Sequence, residues 1–195
     1  ISFSLEKAVT STRIVAKRSE INGFTFTLDG IKKETFNTKI ANLLSIAKLL
    51  LPFIDQYHLS IESSNTFPHS SGIASSASSM SALALCLMEL QMRIDPKSNN
   101  NMNMQKASEL ARLGSGSASR SLFDGWALWG ETPLIADRSD RYADRLENVH
   151  TNFKQIANAI LIIEPGTKKV SSSKGHALMK NHPYGKARIE QANEN

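Results

Sequence analysis

Cysteine is almost missing from this chain: Cys86 is the only one in 195 residues, so no intrachain disulfide can form. It lies within the apolar stretch Leu83–Leu90, where a buried, inert thiol is the default, and a reducing, cytoplasmic setting is expected. Long apolar runs are also lacking. None approaches the roughly 20 residues that cross a bilayer, and the first residues show no basic-then-apolar leader pattern, so no membrane partner is expected.

Dense positive charge is absent too. The formal net charge is +5 and the sequence pI about 9.4, a balance that favours anionic partners. Yet Lys32-Lys33 and Lys168-Lys169 are mere pairs, and Arg138, Arg141 and Arg145 alternate with Asp137, Asp140 and Asp144. With aromatics at 7% and no aromatic-interleaved basic motif, a small anionic molecule is the expected partner, and no nucleic acid. The Gly-Lys-[Ser/Thr] ending of a P-loop and the Gly-x-Gly-x-x-Gly of a dinucleotide turn do not occur in the Ser-rich loops described below, which excludes both motifs there. There is no internal repeat and no long low-complexity tract.

A 41% hydrophobic and 21% charged composition suits a globular protein of one or two domains with a real core. Ser2–Lys17 and Phe24–Ile31 carry strand character, and Asn22-Gly23 between them predicts a hairpin. Ala41, Leu44, Ile46, Leu49, Leu50 and Phe53 predict a helix over Lys39–Phe53 that stops near Pro52. A short strand at Leu59–Ser63 follows, then an almost uniformly apolar helix over Ala77–Met92. Asp95–Asn103 is an Asn-rich connection, Gln105–Leu113 an amphipathic helix, and Gly125–Trp129 a buried strand. Asp137–Thr151 reads as charged, irregular and mobile surface, and Asn158–Ile163 as a new strand that opens a second domain near Phe153. This order of blocks supports an α+β fold.

Two segments carry chemistry. Asn65-Thr-Phe-Pro-His-Ser-Ser-Gly-Ile-Ala-Ser-Ser-Ala77 runs from a strand into the Ala-rich helix. The first amides of a helix lack internal partners and sit at the positive end of its dipole, and Gly72, Ala74, Ser75 and Ser76 let an anion approach them. The bland reading is a Ser-rich cap with no ligand. The second loop, Gly114-Ser-Gly-Ser-Ala-Ser-Arg-Ser121, adds a guanidinium to further hydroxyls, and two such loops in one domain favour phosphate binding.

In the first loop, Asn65, Phe67, Pro68, Gly72, Ala74, Ser75, Ser76 and Ala77 stand in register with the phosphate loop of the diphosphomevalonate decarboxylases, in the GHMP small-molecule kinase superfamily. General GHMP kinases more often carry Gly-Leu-Gly-Ser-Ser, so Gly-Ile-Ala-Ser-Ser resembles the decarboxylase branch. The second loop is similar to that family's Gly-Ser-Gly-Ser-Ala-Cys-Arg-Ser, with Ser119 in place of Cys. Ser2-Phe-Ser-Leu5 and Lys168-Lys-Val-Ser-Ser-Ser-Lys-Gly175 agree in order, so the resemblance spans nearly the whole chain.

The resemblance implies a GHMP-kinase-like N-terminal domain over residues 1–152, followed by the start of a ferredoxin-like C-terminal domain over 153–195, with the active site in the cleft between them. It also implies a longer protein, whose substrate-binding Lys and Tyr residues and catalytic Asp lie outside this chain. The implied activity is ATP- and magnesium-dependent decarboxylation of mevalonate diphosphate, and family members are commonly homodimers.

By the same resemblance, Pro68, Ser71, Gly72, Ile73, Ala74, Ser75 and Ser76 wrap the ATP phosphates. Arg120 and Ser117 are the catalytic residues of this chain. Arg120 would grip the substrate carboxylate through two parallel hydrogen bonds, a geometry Lys cannot reproduce. Ser117, Ala118 and Arg120 contact the acid, and Ser172 and Ser173 bind its diphosphate. No metal ligand is assigned. His69 replaces a Thr of the family pattern and receives no role, His176 stands where Met is frequent, and Asp124 where Gly is common. A kinase of the same superfamily that stops after phosphorylation, and a non-catalytic binding module, remain open.

Overall fold

The computed structural model describes residues 1–69, 73–95, 102–161, 172–179 and 181–194. Two antiparallel or mixed sheets and five α-helices are built from them. The larger sheet holds β2 (Thr10–Arg18), β3 (Gly23–Leu28), β4 (Ile31–Lys32) and β5 (Tyr57–Asn65) in the order β2-β5-β3-β4. Alternation decides which face is buried. Ile14, Ile61 and Phe26 stand side by side across the sheet, as do Ala16, Leu59 and Phe24, and these rows pack against the main core.

The hairpin expected at Asn22-Gly23 does not form. β5 inserts between β2 and β3, antiparallel to the first and parallel to the second, so the two strands flanking that turn never pair. The Asn22 amide instead donates to the carboxylate of Asp55, 3.2 Å away, ahead of β5. The true tight hairpin joins β3 to β4 through Asp29-Gly30, both at positive φ (52° and 76°) as a two-residue turn of the primed type requires.

Helix α1 (Asn37–Ala47) ends earlier than expected, and Pro52 instead opens a separate 3₁₀ turn, Pro52–Gln56. Helix α2 (Ser75–Ile94) buries Ala77, Met80, Ser81, Ala84, Leu87 and Met88, a stripe at helical spacing that lies on the sheet. Helix α3 (Met104–Gly114) is capped by Asn103, whose side chain accepts the Lys106 amide at 2.9 Å. Gly114 closes it where space is tightest: a Cβ there would lie 2.8 Å from the Met80 sulfur and 3.2 Å from Leu43.

The smaller sheet joins β1 (Ser2–Phe3), β6 (Trp126–Trp129) and β7 (Ala143–Arg145), all antiparallel. Strand β7 corrects the expectation of irregular, mobile surface over Asp137–Thr151. The segment is tied to α3 by Arg141–Glu109 at 2.8 Å and by the Ala143 amide on the Ser108 hydroxyl at 2.8 Å. The strand expected at Asn158–Ile163 is not formed over residues 158–161, which are exposed and lack a pairing strand, so their backbone has no ladder to join; 162 and 163 lie outside the described residues. Helices α4 (Ser172–Met179) and α5 (Gly185–Glu194) end the chain. Among the described residues no helix is long and apolar enough to cross a membrane.

Candidate active site

Helix α2 begins without a side-chain cap. Its N-cap residue, Ala74, is left-handed (φ 52°, ψ 35°), a conformation that costs an L-residue roughly 1–2 kcal/mol. The first intrahelical bonds are those of the Ala77 and Ser78 amides to the Ala74 carbonyl, at 2.9 and 3.2 Å. The hydrogen-bond ladder thus starts from Ala74, at the positive end of a 20-residue helix. A strained residue at an uncapped helix start is a physical sign of an anion site.

The second loop folds as a 3₁₀ helix, Gly116–Arg120, pressed against α2 and α3. Gly116 lies beside the Trp129 indole, where a Cβ would be in ordinary van der Waals contact at 3.4 Å. Ser81 shares its proton between the carbonyls of Ala77 (2.8 Å) and Ala118 (2.7 Å), and the Ser108 hydroxyl donates to the Ser119 carbonyl at 2.8 Å. The hydroxyls of Ser76 and Ser115 lie 3.5 Å apart, joining the two loops directly.

Between the loops lies a cavity of about 580 Å³. Ile73 and Ala74 line it from the first loop, Ser117 and Arg120 from the second, with Phe3 of β1, Thr10 of β2 and the neighbouring Ser4 also lining it. Arg120 is half-buried, and its Nε is buried with no hydrogen-bond partner. An unmet buried donor of this kind costs about 1–3 kcal/mol, which a bound carboxylate or phosphate would recover. A larger hollow of about 1040 Å³ shares Phe3, Leu5, Phe67 and Ile73 with the first and extends to Pro68, Trp126 and Phe153.

Residues 1–143 match the family model described as the diphosphomevalonate decarboxylase-like N-terminal domain. The chain belongs to this family. It is 35% identical to the diphosphomevalonate decarboxylase of Saccharomyces cerevisiae over 128 residues, 66% of this chain and 30% of that relative. The crystal structure of the mevalonate diphosphate decarboxylase from Staphylococcus aureus covers 98% of this chain with a TM-score of 0.75 and 28% identity, and the chain spans 54% of its length. The mevalonate diphosphate decarboxylase from Enterococcus faecalis, solved to describe mevalonate diphosphate mediated ATP binding, covers 70% with a TM-score of 0.54 and 29% identity; the chain spans 39% of it. The chain thus has the GHMP-kinase fold of these decarboxylases.

Within this family fold the expected site residues do not all converge. Ile73, Ala74, Ser117 and Arg120 share the cavity, and Pro68 lines the adjoining hollow. Ser75 is buried at the start of α2, and Ser76 turns toward Ser115. Ala118 is fully buried in the main core; its amide donates to the Ser115 carbonyl and its carbonyl accepts from Ser81 and the Ser121 amide, so it supports the loop from beneath and does not line the cavity. Ser71 and Gly72 lie outside the described residues, as do the side chains of Ser172 and Ser173, which open α4.

Further side chains support the site. Ser81 and Ser108 are hydroxyls embedded in apolar helix stripes, a pattern that could have marked them as buried ties. His69 is half-buried edge-on to Phe36, ring centroids 4.6 Å apart. Burial chiefly, with the charge of Lys39 and then Lys33, lowers its pKa against the opposing pull of Asp29. The Cys86 thiol donates to the Thr12 carbonyl at 3.1 Å, and burial pushes its pKa up, in keeping with an inert thiol.

Proposed function

We propose that the protein decarboxylates mevalonate 5-diphosphate to isopentenyl diphosphate with ATP and magnesium, and that this chain supplies the nucleotide-phosphate loop and the acid-binding arginine. The observation that carries this reading is the single cavity lined by both Ala74 and Arg120. The uncapped start of α2 holds the triphosphate through its amides, and the small Ala74 keeps that approach open. Arg120 binds the carboxylate in a bidentate grip while Ser117 fixes the acid beside it. Phosphorylation of the 3-hydroxyl turns a poor leaving group into a good one. As that phosphate departs, the electrons of the carboxylate–carbon bond form the new double bond and carbon dioxide leaves.

Magnesium, when bound, neutralises phosphate charge. It is held in such sites mostly by phosphate oxygens and water, so it requires few protein ligands; among the described residues no group of three or more His, Cys, Asp or Glu side chains converges. The base that takes the hydroxyl proton is assigned to a segment beyond this chain. Residues 1–152 form the N-terminal domain in this reading and 153–195 begin the C-terminal one, in a cytoplasmic homodimer.

The test is the full-length protein with mevalonate 5-diphosphate, ATP and magnesium. Release of carbon dioxide and phosphate in equal amounts is expected. A phosphorylated acid that keeps its carboxyl group would instead indicate a kinase, and no turnover with retained ligand binding would indicate a binding module.

A further inference from the structure

The cavity between the loops is nearly devoid of charge for a polyanion site. Among its described lining residues the only charged side chains are Arg120 and Asp124; the others are apolar or hydroxyl-bearing. No ion pair among the described residues includes either one. Asp124 is exposed, and the backbone beside it is pinned. The Gly125 amide donates to the Ser4 hydroxyl and the Ser4 amide to the Gly125 carbonyl, both at 2.9 Å. On the other side the Phe123 amide points to the Arg120 carbonyl at 3.4 Å. The backbone that carries Asp124 is thus held at the cavity that Arg120 also lines.

We propose that Asp124 is a specificity-determining residue, whose uncompensated negative charge offsets Arg120 and limits how tightly the cavity accepts highly anionic acids. This deepens the reading of the site as the acid-binding cavity and rests on it. The physical reason is Coulombic: each added negative charge on the ligand is repelled by the carboxylate, so the penalty grows with ligand charge and weakens with salt. Among the described residues the Asp124 side chain makes no hydrogen bond or ion pair that Asn would lose, so the neutral isostere isolates the charge.

The test uses the full-length protein carrying Asp124→Asn, with Glu20→Gln as a control for net charge. Glu20 is exposed beyond the far end of β2, about 30 Å from the Thr10 end by strand rise. Calorimetry with mevalonate 5-diphosphate should give a Kd about five- to tenfold lower for Asp124→Asn, a smaller gain with mevalonate 5-phosphate, and a gain that shrinks in high salt. Glu20→Gln should leave both values unchanged. An unchanged or weaker Kd in Asp124→Asn, equal gains for both ligands, or the same gain in Glu20→Gln overturns the proposal. Carbon dioxide release separates the two claims: turnover without a Kd shift overturns only the role of Asp124, and a Kd shift without turnover overturns only the decarboxylase reading.

Discussion

Ser81 and Ala118 are 37 residues apart in sequence, yet the buried Ser81 hydroxyl donates to the Ala118 carbonyl at 2.7 Å. This bond fixes the helix that begins at the phosphate loop to the 3₁₀ helix that ends in Arg120. The site is therefore set by a tie in the core beneath it. Ser81→Ala should lower stability by about 1 kcal/mol, since the Ala118 carbonyl keeps the Ser121 amide but the buried tie is lost. Urea denaturation reads this as a lower midpoint with an unchanged slope. An unaltered midpoint would show that the tie contributes nothing.

The left-handed Ala74 gives a second expectation. Ala74→Gly relieves the positive-φ strain while adding unfolded-state freedom, so stability should stay within about 1 kcal/mol of the parent. Ala74→Val places a β-branched residue at φ 52° and should cost about 2 kcal/mol or more, with weaker nucleotide binding. Thermal unfolding of the two variants checks the order; Val as stable as Gly would contradict the backbone geometry.

Close packing at the end of α3 makes Gly114 a third test. Gly114→Ala would drive a methyl against Met80 and the fully buried Leu43 side chain, and should destabilise by about 1–3 kcal/mol. Met80→Ala in the same background should recover part of that loss by opening space, measured as a double-mutant cycle.

His69 supplies a pH dependence. Its folded pKa lies below the unfolded value near 6.5, so the unfolded chain takes up the proton first as pH falls. The contribution to stability is fully present above about pH 6.5 and is lost as pH falls through the folded pKa. Unfolding followed from pH 7.5 to 5 should show this decline, and His69→Gln should flatten it. An identical slope in the variant would contradict the assignment.

The sequence was most informative where a feature is local. The apolar stripes of α2 and α3, the phosphate loop and the Gly-Ser-Gly-Ser turn all report on their own neighbours in the chain, and the structure puts Ala74 and Arg120 on one cavity. Pairing across distance was hidden. Asn22-Gly23 has the chemistry of a hairpin turn, but β5 fills the space between β2 and β3, and nothing near that turn encodes a strand more than 30 residues away. The alternating charges of 137–145 looked like solvated surface because the partners that hold the segment, Glu109 for Arg141 and Ser108 for the Ala143 amide, belong to α3. Ala118 stands next to Ser117 and near Arg120 in sequence, yet the turn of the 3₁₀ helix sends it into the core.

The most direct test of the shared cavity is Arg120→Ala in the full-length protein, with turnover of mevalonate 5-diphosphate and the Kd for ATP measured side by side. If Arg120 binds the acid as proposed, turnover should fall about 100-fold or more, as for loss of a charged transition-state contact, while ATP affinity changes less than about threefold. Equal losses in both would contradict the account, because the guanidinium would then be serving the nucleotide or the fold.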